Sequence, residues 1–224
     1  MNRPHASPAA AAPVRGLRTA ALLLAAAWLA GCATPERPVR ATPYDFGPLP
    51  ASAAPAADAP STLPPLILPE VEAGGSFDGS AILYRLGYAD VNQLRAYSLA
   101  RWSAPPAQLI RQRLREQLGR ERAVLDLSDA ATLARRGGEL PRILRVELEE
   151  FTHYFDSEKS SQGLLRLRCT LLENTTAGER LVAQRTFDLR QPAASADAPG
   201  GVRALAAATD TAAADIAQWL RPLR

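Results

Sequence analysis

The chain has 224 residues, with 26 Lys+Arg against 23 Asp+Glu and a formal net charge of +3. Residues 1–31 hold Arg3, Arg15 and Arg18 and no acid, so the remainder is neutral, at 23 of each sign. A neutral remainder excludes a basic nucleic-acid footprint, and beyond Cys32 only one histidine, His153, and one cysteine, Cys169, remain, too few for a zinc centre built on His and Cys.

The chain opens on a basic head followed by Thr19 to Ala30, apolar apart from its first residue. That run is shorter than the roughly 20 residues a bilayer span needs, and it has the make-up of a bacterial export signal. Leu29-Ala30-Gly31-Cys32 closes it and resembles the lipobox of bacterial lipoproteins. There a thiol is alkylated with diacylglycerol and the signal is cut just before it. Ala30 and Gly31 suit such a cut, because a peptidase binds extended backbone closely. The competing readings are an ordinary secretory signal with an incidental cysteine, and an uncleaved anchor. Residues 1–31 are expected as signal, 32–63 as lipidated cysteine and linker, and 64–224 as one domain. With Cys32 lipidated, Cys169 has no disulfide partner.

Residues 33–63 are crowded with Pro and Ala and show no periodicity, the composition of a disordered, semi-rigid tether. Such a segment spans roughly 30 Å as a coil and about 90 Å when stretched. Tyr44 to Pro50, YDFGPLP, interrupts it and reads as a segment that docks on the domain.

Leu66-Ile67-Leu68 reads as a first short strand. Ala81–Leu86 and Leu94–Trp102 read as a hairpin across Ala89–Asn92. The next helix is expected to have Ser103 as its cap, Pro105 and Pro106 in its first turn, and Gly119 at its end. Ala107, Ile110, Leu114 and Leu118 form its buried stripe. Arg111, Arg113 and Arg115 read as a solvated face, with Glu116 able to pair with Arg113 and Arg120. Val124-Leu125 reads as a short strand, and Ser128-Asp129 caps a brief helix ending near Arg135. Three alternating strands follow. In the first, Glu149-Glu150 shifts the phase from Leu144, Val146 and Leu148 to Phe151, His153 and Phe155, as a bulge does. The second buries Leu165, Leu167, Cys169 and Leu171; the third buries Leu181, Ala183, Phe187 and Leu189. Glu147 and Glu149 are expected beside Arg166 and Arg168. A helix from about Val202 to Leu220 ends the chain.

No catalytic motif emerges. His153 lies between phenylalanines and Cys169 between leucines, both as packing residues; neither a nucleophile elbow nor a phosphate-binding glycine loop is present. The aromatic set Tyr84, Tyr88, Tyr97 and Trp102 reads either as core or as a partner groove.

Taken together, LAGC at Leu29 to Cys32, YDFGPLP, ILYRLGYADVNQLRAYSLARWSAPPAQLI from Ile82 to Ile110, and LRVELEEF leading to SSQGLLRLRCTL resemble the ABC-type transport auxiliary lipoproteins, the family that includes PqiC. The resemblance implies a three-layer α/β domain on a mixed, largely antiparallel sheet packed by helices. It implies no enzymatic activity and no cofactor beyond the S-diacylglycerol and N-palmitoyl lipid on Cys32. The implied role is auxiliary to a phospholipid transport system between inner and outer membranes. Its partners would be an MCE-domain protein and an ABC permease and ATPase, with homo-oligomerisation left open. Ala33 after the cysteine, where Asp would favour the inner membrane, implies anchoring in the outer membrane on its periplasmic face. The alternative reading is a periplasmic carrier whose domain itself binds lipid.

Overall fold

In chain order the strands are β1 (Thr42–Tyr44), β2 (Leu66–Ile67), β3 (Glu72–Ala73), β4 (Ala81–Leu86), β5 (Arg95–Trp102), β6 (Val124–Leu125), β7 (Arg142–Phe155), β8 (Ser161–Thr175) and β9 (Gly178–Pro192). The helices are α1 (Pro106–Leu118), α2 (Leu127–Arg135) and α3 (Ala198–Leu220). They come from a computed structural model that describes residues 40–48, 63–135 and 140–223. Leu29, Ala30, Gly31 and Cys32 lie outside the described residues.

The strand that carries the doubled acid, β7, is the hub of the sheet. One edge pairs antiparallel with β8, which pairs antiparallel with β9. Along the other edge β2, β3 and β4 lie in succession, all parallel to β7. β4 continues into the hairpin with β5, and β1 pairs parallel with β5 at the sheet margin. The bulge falls where the doubled acid marks it, between Leu148 and Glu150. It returns Phe151, His153 and Phe155 to the face already carrying Leu144, Val146 and Leu148.

That face is covered by α1 and α3. Ile110, Leu114 and Leu118 of α1 and Leu205, Ala208, Ala212 and Ile216 of α3 join Leu165, Leu167, Cys169 and Leu171 in one core. α3 lies close because small residues face the sheet: a Cβ on Gly163 of β8 would come within 2.9 Å of the α3 backbone at Ala204. Ile67, Ile143 and Leu172, out of phase with that core, pack with Ala130 of α2 and Leu125. This second cluster gives the fold its third layer, at one end of the opposite face.

Several local expectations shift. The helix after β5 has Pro105, not Ser103, at its N-cap, with no side-chain cap; the Ser103 amide instead donates to the Tyr44 carbonyl at 2.7 Å. α3 starts at Ala198 rather than Val202, because Asp197 accepts from the Gly200 amide at 2.7 Å and holds the first turn. A Cβ on Gly201 would meet the His153 ring at 2.4 Å, so close packing keeps glycine there. Asp126 closes the first turn of α2, accepting from the Asp129 amide at 2.8 Å and the Ser128 hydroxyl at 2.7 Å. Leu181 is exposed rather than buried, since a register shift between Leu171 and Leu172 turns it to the outer face. There Arg168 bonds Glu149 and sits 3.7 Å from Glu147, while Arg166 pairs with Asp188 instead, at 2.7 Å.

The folded part also begins before residue 64. β1 and the turn to Gly47 belong to the sheet margin, so the segment marked as docking is built into the domain.

Candidate functional site

Three places gather the side chains able to do more than fill space. The first is a latch on the N-terminal segment. The Phe46 ring stands edge-on to Trp102 at 5.5 Å and lies 6.0 Å from Phe151. Arg113 of α1 reaches the same segment and donates to the carbonyls of Phe46 and Gly47, at 2.8 and 2.9 Å. It also lies 3.3 Å from Asp210 of α3 and 5.9 Å from the Phe46 ring centre.

Arg113 is only 3% exposed, which corrects the solvated-face reading. Nor does Glu116 serve it, accepting from Gln112 instead. The signal was in the helical wheel: at 100° per residue Arg113 falls about 60° from Ile110, on the margin of the buried stripe. Asp210 has its carboxyl pushed above the ordinary value by burial, against the opposing pull of Arg113.

The second place holds half of the aromatic set. Tyr84 and Tyr97 pack with ring centres 4.6 Å apart, and the Tyr97 hydroxyl meets His153 Nδ1 at 2.9 Å. His153 is fully buried, with Nε2 lacking a hydrogen-bond partner, and burial lowers its pKa from 6.5 to about 4. Burial also raises the Tyr97 phenol well above its usual range. Trp102 is a core residue, 1% exposed, and Tyr88 is half exposed, so the four do not form one groove. Cys169 is a buried free thiol pushed up to about 12 by burial.

The third place is a cavity of about 400 Å³ at one pole of the sheet. Leu63, Pro64, Pro65 and Leu66 line it from the approach to β2, Leu140 and Pro141 from the approach to β7, and Leu171 from the end of β8. Leu220 and Leu223, at the end of α3, complete the apolar wall, with Arg122, Arg142, Glu173 and Asn174 as its polar side chains. Sequence reasoning passed over this site, because its walls come from five separate stretches. Among the described residues, no three His, Cys, Asp or Glu side chains are placed to hold a metal ion.

A family model described as ABC-type transport auxiliary lipoprotein component matches residues 44–217. Its start coincides with the end of β1, where the latch begins. Comparison with curated proteins finds no match. Among solved structures, protein XCC0632 from Xanthomonas campestris, described by the family model DUF330, shares 19% identity at a TM-score of 0.59. The alignment covers 81% of this chain and 90% of that one. The crystal structure of an uncharacterized protein aligns at 18% identity and a TM-score of 0.53, covering 70% of this chain and 91% of that one. Both likenesses show the fold.

Proposed function

Because the chain belongs to the ABC-type transport auxiliary lipoprotein family, we propose that it is a non-enzymatic lipoprotein that docks a lipid-transporting ABC machine to its membrane. Cys32 carries S-diacylglycerol and an N-palmitoyl chain, and Ala33 directs the anchor to the outer membrane, with the domain facing the periplasm. Two or more acyl chains give a stable hold where one alone is marginal. The partners are an inner-membrane permease, its ATPase and an MCE-domain protein, and the cargo is phospholipid.

The latch carries this reading. A linker clamped to its own domain shortens the tether: seven residues, and so eight Cα steps, separate Cys32 from Arg40, a reach of about 28 Å at full extension. A single domain held that close to its anchor suits a fixed docking post better than a shuttle crossing between membranes. A non-catalytic role is supported by the two groups nearest to reactive chemistry. His153 is sealed against Tyr97 and Phe155, and the Cys169 thiol is buried and held protonated. Both serve packing.

The test is cross-linking in cells expressing the full lipidated chain, with bound proteins identified by mass spectrometry. Recovery of the permease, ATPase and MCE-domain protein is expected. Recovery of none of them, from cells where all are expressed, contradicts the docking role.

A further inference from the structure

Arg122 sits in the turn between α1 and β6 and lines the cavity at the pole of the sheet, and it is only 7% exposed. Among the described residues its guanidinium enters no hydrogen bond and no ion pair. Its nearest charged neighbours are Glu121, which is paired with Arg221, and Arg221 itself. Burial lowers its pKa, the nearby Glu121 carboxylate pulls it back up, and Arg221 pushes it down again. An arginine cannot escape this cost by losing its proton, since its fork stays charged throughout the accessible pH range. A largely buried guanidinium that no protein group hydrogen-bonds is costly, and an anion reaching it from the cavity would offset that cost.

The other polar side chains of the lining are already engaged. Arg142 donates to the Leu223 carbonyl at 3.0 Å and to Glu173 at 3.3 Å, and Glu173 also takes a bond from Arg180. Asn174 donates to the Pro141 carbonyl at 3.4 Å. One free cation therefore faces a wall of leucine and proline carbon. A peptide is poorly served here: Pro64, Pro65 and Pro141 lack the amide N–H groups that an extended backbone would need. The volume lies at the small end of ligand pockets, which run from about 300 to 1,000 Å³.

We propose that this cavity binds a single-chain anionic amphiphile, its carboxylate or phosphate head on Arg122 and its alkyl chain along Leu66, Leu140, Leu171, Leu220 and Leu223. The site is independent of the docking role, and either can fail without the other.

The experiment titrates the full chain carrying Cys32→Ser, which has no acyl groups of its own, with four probes below their micellar concentrations. These are laurate, dodecyl phosphate, dodecanol and inorganic phosphate, followed by calorimetry. Laurate or dodecyl phosphate is expected to bind at least about tenfold more tightly than dodecanol, equivalent to about 1.4 kcal/mol. Inorganic phosphate should bind negligibly. Arg122→Gln should bring the acids down to the level of dodecanol. Leu140→Asn, at a partly exposed wall residue, should weaken every alkyl probe. The proposal is overturned if no alkyl probe binds, or if dodecanol matches the acids. Full retention of acid binding by Arg122→Gln, or inorganic phosphate binding as tightly as dodecyl phosphate, overturns it equally. Cross-linking to transporter components reports separately, so a chain that binds laurate yet recovers no partner refutes only the docking role.

Discussion

Two buried arginines stand nine positions apart, one within α1 and one just past it, and their surroundings differ. Arg113, in the middle of α1, meets two backbone carbonyls, a carboxylate and an aromatic ring. Arg122, just beyond the end of α1, meets no protein acceptor and faces a cavity. The first is part of how the domain holds its own N-terminal segment. The second is a cost to the isolated fold, which points outward to a ligand. Burial alone does not separate the two, and Arg113 Nη1 is itself buried without a partner; what differs is that the rest of the Arg113 fork meets protein acceptors and the Arg122 fork meets a cavity.

The largest expected effect comes from breaking the answered arginine. Arg113→Ala leaves the Phe46 and Gly47 carbonyls without their donor and the half-buried Asp210 without its ion-pair partner, and should cost about 3 kcal/mol in urea unfolding. Equal stability of variant and parent would mean the latch is ornamental. Phe46→Ala removes the ring wedged against Trp102 and Phe151 and should cost about 2 kcal/mol. Its clearer signature is local: amides of residues 42–47 should exchange with deuterium faster while β7 and β8 stay protected.

A pH effect comes next, from His153. Its folded pKa, about 4, lies below the unfolded 6.5, so between these values the unfolded chain binds a proton that the native one refuses. Stability is therefore fully present above pH 6.5 and is lost as pH falls toward 4. His153→Gln should flatten that slope in a series of denaturation curves, and an unchanged slope would assign it elsewhere. Arg122→Met should behave oppositely to Arg113→Ala. Removing an unmatched buried charge is expected to leave stability unchanged or raise it by about 1 kcal/mol, read as a higher urea midpoint. The smallest effect belongs to the exposed pair Arg166–Asp188, whose double-mutant cycle should give less than about 1 kcal/mol.

What could be read in the sequence follows from how local each signal is. The alternation in β7 and β8, the bulge at Glu149-Glu150 and the stripe of α1 depend only on neighbours within a few residues, and all appear where expected. The start of α3 lies before its first large apolar residue, Val202, because Asp197 holds a turn that runs through Gly200 and Gly201, where the missing side chain lets the helix rest on His153. The latch was half legible. YDFGPLP stood out from its linker, but Arg113 was assigned to solvent because charge was weighed above its place on the helical wheel. The cavity at the pole of the sheet was not legible at all, since no short stretch of sequence contributes more than a fragment of its wall.

The central claim, that the domain hangs from a lipidated Cys32 on a short clamped tether, is met most directly by metabolic labelling with palmitate followed by membrane fractionation. The full chain should take up label and sediment with outer-membrane fractions, and Cys32→Ser should do neither. Label in the Cys32→Ser protein, or that protein still bound to membranes, would contradict it.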